Sequence, residues 1–276
     1  MVAVDLGASW ITSFTSKETS SMSVERPGLF LVYYLMAITY TSNVFNCIGY
    51  VLQLLYCVFL EGGSYSSGKY KSSKRNTSVH SRVEQWRPLA VHPVMAESIS
   101  DLWSNRWQQL YKLTWVAIPF KPTRIVATRI LSKIMNNPTF VALSFAITSV
   151  FAVSGLMHEY SVAGVLGWST YRQSVIGEQM IFFLLNAAAV IGEYALEKML
   201  TGRLSPGFRS SYLARALKYT WTIGFGYLTY YYVMNGFIAC EFYLEAPIRI
   251  IGPHIIKTVR KMPAVLQYFG SYASRQ

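Results

Sequence analysis

The run "TFVALSFAITSVFAVSGLMHEYSVAGVLGW", residues 139–168, decides the fold class of this chain. It follows the helix-interrupting Pro138 and contains only two ionisable side chains, the adjacent His158 and Glu159. A helix needs about 20 mainly apolar residues to cross the hydrocarbon core of a bilayer, which is about 30 Å thick. The run therefore predicts a membrane-spanning helix that holds two polar side chains at a cost in free energy.

The composition of the whole chain supports a membrane protein. Of its 276 residues 52% are hydrophobic and 14% are charged, whereas about a quarter of a soluble domain is charged. Three further windows suit spanning helices: 29–60, which forms either one tilted helix or two segments broken at residues 41–43, then 180–200 and 219–242. We therefore predict an all-α, polytopic transmembrane helix bundle over residues 29–276, preceded by a disordered polar tail over residues 1–28.

The net charge of +12 would suggest a nucleic-acid partner in a soluble protein, but here the cations lie in the connections between spans. Residues 69–87, 121–133 and 203–218 are rich in Lys and Arg, whereas 169–177 holds one Arg, so we expect the rich connections to face the cytosol. Strict alternation would put the basic C-terminal segment, read as interfacial over residues 247–269, in the lumen. Either a segment re-enters the membrane or one span is miscounted. No nucleic-acid partner is predicted.

Cysteine usage indicates no covalent or metal framework. The three cysteines all sit in apolar runs, and neither their odd number nor their spacing suggests a disulfide network or a metal site. We interpret them as small packing residues.

Residues 97–120 show helical periodicity, with Trp103 and Trp107 on the apolar side, and predict an amphipathic helix at the membrane interface. Arg106 falls near the middle of the apolar stripe, where an unpaired guanidinium would be costly. A structural interpretation is that Arg106 snorkels towards headgroups or pairs with a buried carboxylate such as Glu193. A functional one is that it binds an anion, for example a phosphate of a nucleotide-containing cofactor.

His158 lies about 8 Å along the helix axis from the centre of its span, and ionisable groups at such depth are functional by default. Ser154 lies on the same face one turn away, and Gly155 and Gly164 offer small surfaces for a neighbouring helix. The alternative role for His158 is a structural hydrogen bond, to Ser154 or to another helix. Glu159 could orient the imidazole, pair with Arg106 or act as a counter-ion.

A neutral imidazole can accept a proton from an alcohol, which is a weak nucleophile until it is deprotonated. The chain contains no Gly-x-Ser-x-Gly elbow, His-Glu-x-x-His pair or phosphate loop. We therefore expect His158 to act directly on a bound substrate.

Two blocks together, "WRPLAVHPVMAESISDLWSNRWQQL" (86–110) and "VSGLMHEY" (153–160), resemble the wax synthase-like branch of the membrane-bound O-acyltransferase superfamily. The family shows a Ser-x-x-x-Phe-Trp-x-x-Arg-Trp-His/Asn block followed by Ser-Gly-x-x-His-Glu in a hydrophobic helix. The resemblance covers a motif core over residues 86–168 and implies a bundle of this type in the endoplasmic reticulum membrane. The chain is short for the family, so we expect N-terminal spans to be missing, as in a natural short form or a fragment.

The resemblance also implies an activity, namely transfer of an acyl group from acyl-CoA, as co-substrate, to the hydroxyl of a lipophilic alcohol. The acceptor would be a fatty alcohol, a sterol or another hydroxylated lipid, and no bound cofactor or metal is implied. The enzyme would thus be an acyl-CoA:alcohol O-acyltransferase of the wax-ester synthase kind, working among membrane lipids. The alternative is a non-catalytic lipid-binding protein of this fold, or a proton relay through His158 and Glu159.

Carried over by position, the resemblance assigns roles to individual residues. His158 would be the catalytic base, and Gln108 stands at the site of the second polar catalytic residue, where Gln can hydrogen-bond but not titrate. Leu102 replaces the usual Phe, and Ser104 and Asn105 stand where Gly and Arg are common. The residues expected to bind substrate are Trp103, Arg106, Trp107, Ser154 and Glu159.

Overall fold

The computed structural model describes residues 25–56, 58–59 and 88–240. Every regular element in these ranges is helical, which confirms the predicted all-α bundle. In chain order the α-helices are α1 Pro27–Tyr56, α2 Ile99–Asp101, α3 Lys112–Trp115, α4 Lys121–Leu131, α5 Thr139–Leu166, α6 Trp168–Ser174, α7 Glu178–Leu200, α8 Pro206–Arg209 and α9 Tyr212–Ala239.

Three of the described helices, α1, α5 and α7, are long and apolar enough to cross a membrane. The fourth long helix, α9, has 28 residues but carries more polar side chains, including the buried Thr222, Thr229 and Asn235. The predictions for the tail over residues 1–24, the basic loop over residues 69–87 and the segment 247–269 fall on residues outside the described ranges.

Helix α1 is one continuous helix, which settles the choice between one segment and two. Thr39, Thr41, Ser42 and Asn43 each donate a side-chain hydrogen bond of 2.6–2.9 Å to the backbone carbonyl four residues earlier. Because these polar groups are satisfied within the helix, they do not interrupt it.

Helices α5 and α7 form an antiparallel pair. Phe140 near the start of α5 stacks on Tyr194 near the end of α7, with ring centroids 5.9 Å apart. At the other end of the pair, a Cβ on Gly155 would lie 3.0 Å from Met180 Sδ and 3.3 Å from Met180 Cα. The prediction that Gly155 permits a close helix approach is confirmed, whereas no described residue lies within 4 Å of a Cβ placed on Gly164.

A row of polar side chains at seven-residue spacing, Gln179, Asn186 and Glu193, runs along one face of α7. Gln179 is 1% exposed and donates to the backbone carbonyls of Tyr232 and Val233 on α9, at 3.0 and 3.1 Å. Backbone carbonyls inside a helix can accept a second hydrogen bond, so a buried amide joins the two helices there.

Glu193 extends this row to the segment before α5. Its carboxylate accepts hydrogen bonds from the backbone amides of Ile99 at 2.8 Å and Ser100 at 2.9 Å, the first residues of α2. Trp221 of α9 donates its indole N–H to the same carboxylate at 2.7 Å. A carboxylate at a helix start satisfies amides that have no partner within the helix, so Glu193 fixes α2 against α7 and α9.

The predicted continuous amphipathic helix over residues 97–120 is wrong. A π-helical turn, Leu102–Arg106, ends at Trp107, which is extended, and Gln108 adopts a left-handed backbone with φ of 44°. The break lies where the Val91 amide donates to the Arg106 carbonyl at 2.8 Å. Contact with a distant part of the backbone thus replaces the helical hydrogen bonds that the local periodicity favours.

Candidate active site

His158 projects from α5 towards α7 and α9 and is partly buried. Its ring lies 4.8 Å from the ring of Phe183 and 5.9 Å from that of Phe237, centroid to centroid, the latter at 89°. The imidazole forms no hydrogen bond with the described residues, so the structural alternative of a bond to Ser154 is not realised. Its nitrogens are therefore not committed to the described part of the chain.

Trp103 brings the first sequence block next to the second. Its ring packs edge-on against Phe151 at 5.5 Å and lies 5.8 Å from Phe183, the ring that also contacts His158. Its indole N–H donates to Asn186 Oδ1 at 2.8 Å, and Asn186 is 3% exposed. The two predicted site residues therefore share one aromatic wall, and a buried amide fixes the orientation of the indole.

Arg106 is paired, but with neither Glu193 nor Glu159. Its Nε donates to Asp101 Oδ2 at 2.6 Å. The π-helical turn explains this pair, because it brings residues five apart in sequence onto one face. Partial burial opposes ionisation of Asp101, but hydrogen bonds from Arg106 and Asn105 hold the pKa of Asp101 below its ordinary value.

Trp107 and Gln108 lie where the helix is interrupted, and their side chains have different surroundings. Trp107 packs edge-on against Phe45 of α1, with ring centroids 5.4 Å apart, and borders the aromatic cluster between α1 and α9. The partly buried side chain of Gln108 forms no hydrogen bond with the described residues. The structure thus separates Trp107 from the Trp103–Phe183–His158 wall and leaves the Gln108 amide uncommitted.

Glu159 is turned to a different set of partners from His158. It accepts a hydrogen bond from the Tyr171 hydroxyl at 2.5 Å and another from the Met180 backbone amide at 2.9 Å. Tyr171 lies on α6, outside the spans; its partial burial and its bond to the carboxylate raise the pKa of the Tyr171 hydroxyl. Glu159 therefore joins α5, α6 and the first turn of α7, and of the three roles left open for it, pairing with Arg106 is not realised.

The face of α5 that carries His158 and Ser154 is only partly internal. Ser154, one turn earlier, is 8% exposed, whereas Ser161 is exposed and donates back to the Met157 carbonyl at 2.9 Å. The face of α5 that carries His158 is thus buried on the Ser154 side and open on the Ser161 side.

Reasoning from the sequence missed the residues that surround the imidazole and the indole. Phe183 and Phe237 lie in long apolar runs with nothing to distinguish them from other packing residues. Asn186 did carry a signal, since it is an amide in an apolar window and lies seven residues from both Gln179 and Glu193. Within the described residues, no three His, Cys, Asp or Glu side chains converge as a metal site would require.

Comparison with known proteins matches the part of the chain that holds these residues. Residues 86–185 match the family described as membrane bound O-acyl transferase family. The resemblance of this chain to the membrane-bound O-acyltransferases is confirmed. The matched region contains both sequence blocks and the Phe183 wall between them.

Curated relatives from Arabidopsis thaliana share part of this region. The chain is 28% identical over 106 residues to "Probable long-chain-alcohol O-fatty-acyltransferase 7", and 29% identical over 111 residues to "Probable long-chain-alcohol O-fatty-acyltransferase 1". These alignments cover 38% and 40% of this chain, but only 28% and 29% of the relatives. The chain thus matches less than a third of the length of these relatives. No solved structure gives a significant match.

Proposed function

We propose that this chain is a membrane-bound O-acyltransferase that moves an acyl group from acyl-CoA to the hydroxyl of a lipophilic alcohol. One observation carries the proposal, namely an imidazole within a membrane-spanning helix that has no hydrogen-bond partner among the described residues. A polar group held there without a partner is costly unless a ligand uses it. The family match and the names of the partial relatives support the reaction class.

The proposed reaction needs one base and a dry, oriented pair of substrates. His158 accepts the proton of the alcohol as the oxygen attacks the thioester carbonyl, forming the C–O bond. The C–S bond then breaks, and the imidazolium returns the proton to the departing thiolate, giving an ester and free coenzyme A. Positioning of both substrates in a site without bulk water supplies much of the rate enhancement.

The surroundings of His158 fit an apolar acceptor. Phe183, Phe237 and Trp103 give aromatic surface, which favours the hydrocarbon part of a lipid-like alcohol. Gln108, whose amide has no partner among the described residues, would hold a reactant or polarise the thioester carbonyl. Arg106, already paired with Asp101, stabilises the segment between α1 and α5 in this proposal. The membrane would be that of the endoplasmic reticulum.

The test is ester formation in microsomes that express the chain and receive acyl-CoA with a panel of fatty alcohols and sterols. Replacement His158→Ala removes the only proposed base, so ester formation should fall at least about a hundredfold. Gln108→Ala should reduce it less, because a hydrogen bond rather than a proton acceptor is lost. Protein abundance is measured in parallel, and wild type that makes no ester from any pair would contradict the proposal.

The rival function, a proton relay through His158 and Glu159, has weaker support. Glu159 is engaged by Tyr171 and Met180, and no hydrogen bond joins it to the imidazole. A relay requires a chain of hydrogen-bonded groups along which the proton moves. Proton flux in reconstituted vesicles that disappears in both His158→Ala and Glu159→Gln, without ester formation, would favour the relay.

A further inference from the structure

A groove beside α4 carries features that acyl transfer at His158 does not use. Its volume is about 550 Å³, and its surface is mainly apolar with three basic side chains among the residues that line it. The residues that line it are Val116, Phe120, Lys121, Arg124, Ile125, Thr128 and Arg129. None of the described residues that line the groove carries a carboxylate.

The cations of this groove lack counter-ions. Lys121, Arg124 and Arg129 are exposed, and none of them forms a salt bridge or a side-chain hydrogen bond with the described part of the chain. Three positive charges that face one groove repel each other, so an anion placed between them is stabilised. The Thr128 hydroxyl adds a hydrogen-bond donor on the same helix face.

The position of α4 indicates where such an anion comes from. Ser149 of α5 donates to the Pro119 carbonyl at 3.1 Å, just before α4, and the chain then returns to enter α5 at Thr139. Both α4, with 11 residues, and the stretch from Thr139 to Ser149 are about 15 Å long. Helix α4 therefore lies along the first part of a spanning helix, where bilayer lipids reach it directly.

We propose that the groove binds an anionic glycerophospholipid. The phosphate and headgroup lie among Lys121, Arg124 and Arg129, and an acyl chain covers the apolar wall formed by Val116, Phe120 and Ile125. Basic pockets at the cytosolic side of membrane proteins suit such headgroups, because the cytosolic leaflet carries the anionic lipids. The excess of cations in residues 121–133 favours that side for α4.

The experiment uses the full chain, purified in an uncharged detergent and titrated with phosphatidylserine labelled on one acyl chain, with binding followed by fluorescence anisotropy. Arg124→Gln and Arg129→Gln each remove one groove cation and should weaken binding about fivefold. Lys133→Gln is the matched control, because it removes the same charge from an exposed position two residues past α4 that does not line the groove. Its affinity should stay within about twofold of wild type.

Unlabelled competitors separate the possible occupants. Unlabelled phosphatidylserine should displace the probe, whereas phosphatidylcholine, inorganic phosphate and coenzyme A should not. Equal weakening in all three variants would overturn the proposal in favour of diffuse charge attraction. Displacement by phosphatidylcholine would show that the groove binds lipid without selecting for negative charge. Displacement by phosphate or coenzyme A would show that it binds a soluble phosphate compound instead. Each of these outcomes would overturn the proposal.

Arg124→Lys distinguishes a loss of binding caused by the missing charge from a loss caused by misfolding. This variant keeps the charge, so it should retain binding within about threefold while Arg124→Gln loses more. Thermal unfolding of all variants in the same detergent should match wild type, because the replaced side chains are exposed and form no hydrogen bond or salt bridge with the described residues. If Arg124→Lys lost as much affinity as Arg124→Gln, charge recognition would be excluded.

Discussion

Two neighbouring side chains of α5, His158 and Glu159, have opposite surroundings. The carboxylate accepts hydrogen bonds from Tyr171 and the Met180 amide, whereas the imidazole lies beside the rings of Phe183 and Phe237 and forms no hydrogen bond with the described residues. A rotation of about 100° per residue explains how one helix presents them to different partners. The acidic residue therefore holds the helices together, and in the proposed function the histidine is the group that meets the substrate.

Replacement Glu159→Gln should lower the thermal unfolding temperature of the purified protein. An amide cannot accept two hydrogen bonds as strongly as a carboxylate does, so we expect a loss of about 1–3 kcal/mol. Tyr171→Phe removes one of the same bonds from the other side. Because the two residues act as one unit, the double variant should be less destabilised than the sum of the singles, and additive losses would contradict the coupling.

The Asp101–Arg106 pair predicts a pH dependence. The folded pKa of Asp101 is lower than its unfolded value near 3.9, so its contribution to stability is present above that pH and is lost as the pH falls through the folded value. Since the two side chains are 24% and 25% exposed, the contribution is at most about 1 kcal/mol.

Thermal scans at a series of acid pH values test this dependence. Asp101→Asn should be less stable than wild type at neutral pH and should approach it as the pH falls through the folded pKa of Asp101. Glu197 of α7 is an exposed carboxylate whose side chain has no partner among the described residues, so Glu197→Gln serves as the control and should leave the pH profile unchanged. A constant difference between Asp101→Asn and wild type at all pH values would show that charge is not involved.

At the scale of elements, α7 organises the bundle through its row of Gln179, Asn186 and Glu193. Each side chain satisfies a different neighbour: carbonyls of α9, the Trp103 indole, and the first amides of α2. Apolar packing alone does not drive helix association in lipid, because the lipid tails are equally apolar. These polar contacts therefore determine which face of α7 meets which partner.

Glu193→Ala should release α2 from α7. The amides of Ile99 and Ser100 lose their acceptor, so hydrogen exchange in residues 97–103 should become about tenfold faster or more, as expected from loss of one charged hydrogen bond. Glu197→Ala, one turn further along the same helix, is the matched control. Similar exchange in both variants would show that the carboxylate does not hold this segment.

Element prediction from the sequence succeeded where hydropathy determines the outcome and failed where distant contacts do. The spans at residues 139–168 and 180–200 agree with α5 and α7 because a long apolar run forms a helix in lipid almost irrespective of its partners. The segment 97–120 has equally clear periodicity. Backbone hydrogen bonds to the loop at residues 89–91 nevertheless interrupt the helix at Gln108. Such contacts over long sequence distances leave no local signal.

For the whole molecule, the sequence allowed us to predict that the two blocks form one site, but it did not allow us to predict which side chains they contact. His158 was identifiable because ionisable groups are rare in spans, and Trp103 because its block accompanies the histidine motif. Arg106 was expected to meet Glu193 or an anion; it meets Asp101 because a π-helical turn, which no periodicity revealed, changes the spacing. Side-chain partners depend on backbone detail that composition and hydropathy do not contain.

The arrangement of α5 and α7 makes the orientation of the chain in the membrane testable. Antiparallel packing places residues 132–138 and 201–205 at one end of the pair, and residues 167–177 at the other. The charge bias predicts that the first end faces the cytosol. On a background without cysteines, Asn136→Cys should react with a membrane-impermeant maleimide in sealed microsomes, whose outer face is cytosolic. Ser174→Cys, equally exposed, should react only after permeabilisation. The reverse pattern would show the opposite orientation, with the cations of α4 away from the leaflet that carries anionic lipid. Labelling of both sites in sealed vesicles would show that α5 does not cross the bilayer.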